Sequence, residues 1–179
     1  VLVFGASQEG KGELRTHGVP EGTEELWQLE PAPSVTRGFG GGCFQWLPDA
    51  SGVVYAAKTG GLWEAARGAA SACRIDTQAP VGASRFGVAV SPNGEWVACV
   101  QNLCELVVVH RATGEEHVIA QPHAFVFDPV WNGSELFWQA WSQPHMPWDE
   151  SEIWSAHIAE REAHVVLHCP GVSFQQLQF

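Results

Sequence analysis

The chain has few basic residues. Nine Lys and Arg stand against twenty Asp and Glu in 179 residues, which gives a formal net charge of −11, and the nine never cluster. Because binding to a phosphate backbone requires a basic stripe, this composition excludes nucleic acid as an expected partner. Long apolar runs are also missing, and none approaches the roughly 18 residues that span a bilayer. We therefore expect no membrane partner.

A C-x-x-C motif is absent, and methionine occurs only once, as Met146. The cysteines are odd in number and lie mostly within apolar runs: Cys43, Cys73, Cys99, Cys104 and Cys169. This pattern favours small buried thiols in a reducing compartment, and no secretory signal is recognisable, so we expect a cytoplasmic protein. Because the chain begins at Val1, we interpret it as a fragment or a processed product, with part of the function located elsewhere.

No stretch has a convincing helical period, but three stretches share one order of features. Each has a turn, an apolar strand, a second turn and a strand that carries Leu or Ile with Trp. The three are residues 47–65, 91–109 and 132–141, the last of which continues after an insertion. Trp63, Leu106 and Trp154 keep the same phase, 43 and 48 residues apart. Four short strands in a unit of about 40–50 residues are typical of β-propeller blades.

The predicted fold class is therefore all-β, a partial β-propeller of about four four-stranded blades. We expect a blade without its first strand, three complete blades and the first strand of a further blade at residues 1–30, 42–78, 84–120, 123–168 and 173–179. A β-sandwich would explain the strands but not their constant phase. An open arc would expose strand edges. Either the last strand closes a ring or further blades are missing, and the start at Val1 favours missing blades.

The opening stretch imitates a phosphate-binding loop. Gly5, Gly10 and Lys11 have the G-x-x-x-x-G-K spacing, but Gly12 stands where Ser or Thr should hold magnesium. Only five residues separate Gly12 from Gly18, too few for the helix whose N-terminus such a loop needs. The repeat instead predicts a hairpin between two blade strands, with Gly10 and Gly12 flanking its turn.

Three stretches resemble a known family. They are S-V-T-R-G-F-G-G-G (34–42), S-P-N-G-E-W-V-A-C-V (91–100) and W-S-Q-P-H-M-P-W-D-E-S-E-I-W (141–154). In this order they are similar to segments in the propeller of the prolyl oligopeptidase family of serine peptidases, in the branch of acylaminoacyl-peptidase-like and dipeptidyl-aminopeptidase-like enzymes. The chain departs from that branch around Gly38 and Phe39, which replace a His-Glu-Tyr, and in the third blade turn, D-P-V-W-N-G (128–133), which lacks Ser-Pro-Asp.

The resemblance implies a function. In that family a propeller of seven or eight blades caps a C-terminal α/β-hydrolase domain with a Ser-Asp-His triad, and the cap admits short peptides but not folded proteins. We expect this chain to be a non-catalytic part of such a gate. Its expected partners are the hydrolase domain of the same parent chain and short peptide substrates.

Two other functions stay open. A stand-alone protein-binding propeller, TolB-like or WD-repeat-like, would use its rim for a partner. A lyase or glycosidase propeller would need convergent carboxylates and His in its tunnel. The carboxylates available are Asp49, Asp128, Asp149 and Glu152. Their spacing indicates turn chemistry instead.

We predict no catalytic, cofactor-binding or metal-binding residue in this chain. The segments nearest to the hydrolase elbow G-x-S-x-G are G-A-S-Q-E (5–9) and G-A-S-R-F (82–86), which lack its second Gly and precede no plausible helix. The tightest group for a metal is His164, His168 and Cys169. On a strand the two histidines would lie roughly 13 Å apart, too far to share one ion.

Two further expectations concern the insertion and the tryptophans. His145 lies in P-H-M-P-W-D, between two prolines, and either faces the tunnel or serves in packing and turn formation, which we favour. The tryptophans recur at strand positions. They are expected to pack between blades, because a tapering space needs large flat side chains.

Overall fold

Four antiparallel sheets follow one another along the chain in a computed structural model, which describes residues 2–9, 11–35, 42–119, 125–175 and 177–179. Blade 1 consists of β1 (Leu2–Gln8), β2 (Lys11–His17) and β3 (Glu24–Trp27). Blade 2 consists of β4 (Phe44–Trp46), β5 (Gly52–Ala56), β6 (Leu62–Ala66) and β7 (Cys73–Arg74). Blade 3 consists of β8 (Arg85–Val90), β9 (Trp96–Gln101), β10 (Glu105–His110) and β11 (Glu116–Ile119). Blade 4 consists of β12 (Phe125–Asn132), β13 (Glu135–Trp141), β14 (Glu152–His157) and β15 (Ala163–His168).

Within each sheet the strands pair in the order of the chain, as in a meander. The described residues form no helix, and so none that could cross a membrane. This architecture confirms the prediction of an all-β propeller with about four blades. The described parts of residues 173–179 form no strand, which differs from the strand predicted there. Hydrogen bonds from this segment go instead to the insertion between β13 and β14: Ser173 Oγ donates to Pro147 O at 2.5 Å.

The opening hairpin is confirmed, with one correction. β1 and β2 pair from Leu2↔His17 to Gln8↔Lys11, so the turn includes Glu9, while Gly10, predicted to flank the turn, lies outside the described residues. Gly12 lies in β2, opposite Ser7, and does not flank the turn as predicted. A Cβ on Gly12 would lie 1.9 Å from the carbonyl oxygen of Pro33. Glycine is thus needed here because another backbone passes close by.

Alternation along β5 shows how the blades pack. Val53 and Tyr55 are fully buried in a core shared with Leu14 of blade 1. Val54 and Ala56 are fully buried in a second core, shared with blade 3. Side chains of a strand point alternately to opposite faces, so both faces of this sheet are covered. The strand therefore lacks the polar face of an ordinary antiparallel strand.

Several tryptophans pack between blades as predicted, but Trp148 does not. Trp138 and Trp154 lie in the apolar core between blades 3 and 4. Trp27 of blade 1 meets Trp46 of blade 2 edge-on, with ring centroids 5.7 Å apart. Trp148, in the insertion, is 64% exposed. It follows that Trp148 contributes little to the cores.

A buried ionic cluster joins blades 2 and 3. Arg85 Nη2 donates to Glu116 Oε2 at 2.7 Å and to Gln101 Oε1 at 3.0 Å. Its Nη1 lies 3.2 Å from Asp76 Oδ2, and neither side chain is exposed. Arg74 Nε donates to the other oxygen of Asp76 at 2.7 Å. Since removing one partner of a buried ion pair leaves a charge uncompensated, this cluster favours one arrangement of the two blades.

The expectation of small buried thiols is wrong for three of the five cysteines. Cys99 is buried and Cys43 is half-buried, but Cys73, Cys104 and Cys169 are exposed. Cys73 lies in the outer strand of its blade, and Cys169 follows the outer strand β15. Apolar runs in outer strands and in turns are not covered by a neighbouring blade, so the sequence context misleads there.

Candidate functional site

The first strand of each complete blade lies at the inner edge, where blades 2, 3 and 4 meet. β4, β8 and β12 are edge strands of their own sheets, and β8 contacts both of the others. Val88 N donates to Gly42 O at 2.7 Å, and Trp131 Nε1 donates to Ala89 O at 3.0 Å. Because propeller blades surround a central channel, we call these three strands the inner wall.

A groove with a volume of 890 Å³ runs along the inner wall. Its lining is largely aromatic and apolar, with Trp46, Trp131 and Phe179 among the larger side chains. Arg67 is the one charged residue among those that line it in the described part of the chain. Such a lining suits a flat apolar group and offers little to a densely charged one.

A smaller cavity of 350 Å³ lies beside the groove, and we call it the Asp128 cavity. Gly42, Gly87 and Asp128 line it, one residue from each of the three blades. The two spaces share Pro129 and Val130 in their linings, so they are neighbours on one wall. Among the described residues that line this cavity, Asp128 alone is ionisable.

Asp128 lies in a β-bulge, not in the blade turn where the sequence had placed it. Phe127 pairs with Gln139 and Val130 pairs with Phe137, so Asp128 and Pro129 together face one residue of β13. The turn of this blade is shorter and falls at residues 133–134. The missing Ser-Pro-Asp of the family pattern is thus explained, because D-P belongs to the strand and not to the turn.

The backbone of Asp128 is in the left-handed region, with φ of +45°. Asp reaches this region more easily than most residues, but for a side chain with a Cβ it costs roughly 1–2 kcal/mol. A strained residue at a cavity is a reason to look for a function there.

The carboxylate of Asp128 is half-buried. Burial raises its pKa above the ordinary value. No hydrogen bond or ion pair reaches this carboxylate from the residues that the structure describes. A desolvated carboxylate without a partner destabilises the fold. Asp128 therefore combines backbone strain, beside a cavity, with a charge that no described residue pairs.

The other three carboxylates have local structural roles. Ser51 Oγ donates to Asp49 Oδ1 at 2.6 Å, and this hydrogen bond lowers the pKa of Asp49. Asp149 accepts a hydrogen bond from Met146 N at 3.3 Å, within the insertion. Both fit the predicted turn chemistry. Glu152 does not, because it lies in β14 and pairs with His168, Nδ1 to Oε1, at 2.9 Å.

Sequence reasoning missed Asp128 as a site residue, although a signal was present. Aligning F-G-V-A-V (86–90) with F-D-P-V-W (127–131) places Asp128 on Gly87. A glycine in one repeat and an Asp in the next indicates a position with positive φ. The predicted turn D-P-V-W-N-G runs back from Gly133 and so wrongly includes Asp128.

The insertion with P-H-M-P-W-D occupies residues 142–151, between β13 and β14. His145 N donates to Ser142 O at 3.1 Å, and the His145 side chain is exposed. Gln139 Nε2 donates to Pro147 O at 3.5 Å, which ties the loop to β13. The turn role favoured for His145 is in accord with its backbone hydrogen bond. His145 is not among the residues that line the groove or the Asp128 cavity.

The remaining candidate serines and histidines do not come together in the structure. Ser7 is exposed in β1, and Ser84 lies directly before β8. His164 Nε2 lies 3.1 Å from Ser155 Oγ, while His168 pairs with Glu152, so the two rings have different partners. The absence of catalytic and metal-binding residues stays a prediction. Of the glycine-rich stretch, residues 36–41, including Gly38 and Phe39, lie outside the described part of the chain.

Solved structures of other proteins resemble this chain in fold. No protein-family model and no curated protein matches the sequence. A puromycin-hydrolyzing peptidase of Mycobacterium tuberculosis matches 90% of this chain with a TM-score of 0.72 and 19% identity, but only 28% of the peptidase is covered. For a puromycin hydrolase the TM-score is 0.68 at 16% identity, over 96% of this chain and 28% of that one. For TolB of Acinetobacter baumannii the TM-score is 0.64 at 10% identity, over 93% of this chain and 40% of that one. The chain thus has the β-propeller fold that these proteins contain, and spans well under two thirds of each.

Proposed function

We propose that this chain is a non-catalytic propeller portion of a serine peptidase of the prolyl oligopeptidase family, with an acylaminoacyl-peptidase-like or dipeptidyl-aminopeptidase-like parent. The observation that carries the proposal is the likeness to the propeller portions of two puromycin-cleaving enzymes. The order of the three motifs at 34–42, 91–100 and 141–154 supports it independently. The parent would work in the cytoplasm.

The propeller acts as a filter in this proposal. A channel between blade edges admits an extended peptide and excludes a folded domain, because packed cores on both sides of blades 2 and 3 hold those edges in place. The parent's α/β-hydrolase domain would supply the Ser nucleophile and the acyl transfer. The propeller contributes selection of substrates by size, before any chemistry takes place.

Two measurements test the proposal. The reading frame that contains this chain should continue into a segment with G-x-S-x-G and a later Asp and His. The isolated chain should not hydrolyse aminoacyl or acylaminoacyl chromogenic esters. A continuing frame without that segment would refute the family assignment. Turnover by the isolated chain that Ser84→Ala or Ser7→Ala abolishes would refute the placement of the active site.

A stand-alone propeller of the TolB type is the second candidate. The likeness to TolB of Acinetobacter baumannii favours it, since that match covers a larger share of its partner than the peptidase matches do. This alternative requires that no hydrolase domain follow and that the source protein carry a secretory signal. It also requires capture of a protein partner by the propeller rim, which the peptidase proposal does not.

A further inference from the structure

One residue of the inner wall stands out from its counterpart in the neighbouring blade. Gly87 in blade 3 and Asp128 in blade 4 both follow a Phe and both occupy the first position of a two-residue bulge. Both have positive φ, +61° for Gly87 and +45° for Asp128. Glycine adopts this conformation without strain, and Asp does not. Folding alone would favour a second glycine at position 128.

The described residues around Asp128 also provide no partner for its half-buried carboxylate. Its neighbours in the Asp128 cavity include Gly42, Gly87 and Val88, which bring no side-chain donor. Gln178 lines the cavity as well, but makes no hydrogen bond with the carboxylate. A cationic ligand would supply this partner. The aromatic groove next to this cavity would receive an apolar body attached to that cation.

We propose that the Asp128 cavity and the adjoining groove form a binding site for a small organic ammonium ion with an apolar body. Asp128 holds the ammonium group, and the groove beside Trp46 and Trp131 holds the apolar part. The site stands whether or not a hydrolase domain accompanies the propeller, because every residue in it belongs to this chain.

A metal ion fits the same observations less well. Hard divalent cations take six or more oxygen ligands, whereas the described lining of the Asp128 cavity offers one carboxylate. No group of three or more His, Cys, Asp or Glu side chains able to hold a metal occurs in the described residues. An ammonium ion needs fewer contacts, and the net charge of −11 favours any cation near this surface.

The test is calorimetric titration of the full 179-residue chain with 2-phenylethylammonium, and with 3-phenylpropanoate as a probe of similar shape and opposite charge. We expect the ammonium to bind at least about tenfold more tightly than the carboxylate, since a charge-assisted hydrogen bond forms only with the former. Asp128→Asn should weaken binding of the ammonium about tenfold or more. Asn is nearly isosteric and tolerates positive φ, so this variant is expected to fold.

Glu160→Gln is the matched control, because Glu160 is an exposed turn residue and its replacement makes the same change in net charge. It should leave binding unchanged. A second readout is the indole N–H resonance of Trp131, which should shift when the ammonium probe binds to the wild-type chain. Equal affinity for the two probes would overturn the proposal. So would Asp128→Asn binding within about twofold of the wild type, or no wild-type binding at about 10 mM ammonium probe.

Discussion

The bulges of blades 3 and 4 have the same geometry and different chemistry. In each, two residues of the innermost strand face one residue of the second strand, and that residue is Cys99 in blade 3 and Trp138 in blade 4. Gly87 adopts the bulge conformation without strain and brings no side chain. Asp128 meets the same conformational demand with a strained backbone and adds a charge.

The two bulges distinguish a position that only builds the repeat from one that carries a second role. A position that only has to bend the strand takes the residue that bends it without strain. When the corresponding position of another blade holds a residue that is less favourable for folding, the loss of stability indicates a second role. Single substitutions can give each bulge the residue of the other.

The largest expected effect is a low rate of thiol modification at the bulge of blade 3. Cys99 faces it, and burial raises the pKa of this thiol to about 12. Thiol reagents should therefore modify Cys99 at least about a thousandfold more slowly than the exposed Cys104, since Cys99 reacts only after the blade opens. Peptide mass spectrometry over a time course measures both rates. Comparable rates would contradict the tight closure of this bulge.

Placing Asp in the bulge of blade 3 is the next largest perturbation. In Gly87→Asp the new Cβ would lie 3.3 Å from Pro129 Cδ and from Val100 Cγ2, at a residue with φ of +61°. Strain and crowding together should reduce the free energy of unfolding by about 2–3 kcal/mol, measured by urea denaturation. The control is Gly133→Asp, which has φ of +60° but no atom within 4 Å, and should lose only about 1 kcal/mol. Equal losses would show that crowding at the inner wall is unimportant.

The reverse exchange should have a smaller effect of opposite sign. Asp128→Gly removes strain of roughly 1–2 kcal/mol and an unpaired carboxylate, against about 0.5–1 kcal/mol for the added freedom of the unfolded chain. We expect a net stabilisation of roughly 0.5–1 kcal/mol in urea denaturation. Asp149→Gly, the control in the insertion, should destabilise because it removes an acceptor for Met146 N. A loss of stability in Asp128→Gly would mean that Asp128 serves folding.

Much of the fold could be predicted from the sequence because its signals are local and repeated. The Pro-Asp turn at 48–49 and the Pro-Asn turn at 92–93 fix the phase of the blades, and the strand that follows each turn is largely apolar. The hairpin of β1 and β2, though not the position of its turn, is predicted by the alignment of V-L-V-F-G-A-S with a later blade. Such features depend on residues that are neighbours in the chain.

The errors concern positions whose environment is set by distant residues. A bulge adds one residue to a strand and shifts the alternation after it, so Asp128 could not be told from a turn residue by local pattern. Gly12 is required by Pro33, which is 21 positions away. Cys73 and Cys169 looked buried because their segments are apolar, but outer strands have no blade beyond them. The candidate site depends on such distant contacts, and so it was not predicted.

The smallest expected effect is a pH dependence that isolates the charge of Asp128 from its strain. In Asp128→Asn the backbone conformation is kept and the ionisable group is lost. Since burial raises the pKa of Asp128 in the folded chain above its unfolded value, the wild type takes up a proton more readily when folded. Its stability relative to Asp128→Asn should be highest below the unfolded pKa of about 4 and should fall as the pH rises through the raised folded pKa. Urea denaturation of both chains at a series of pH values between about 4 and 7.5 measures the difference in stability, and the wild type should lose stability relative to Asp128→Asn as the pH rises. A difference that is constant with pH would mean that Asp128 has a partner in the folded chain, and the contrast with Gly87 would then reduce to backbone strain alone.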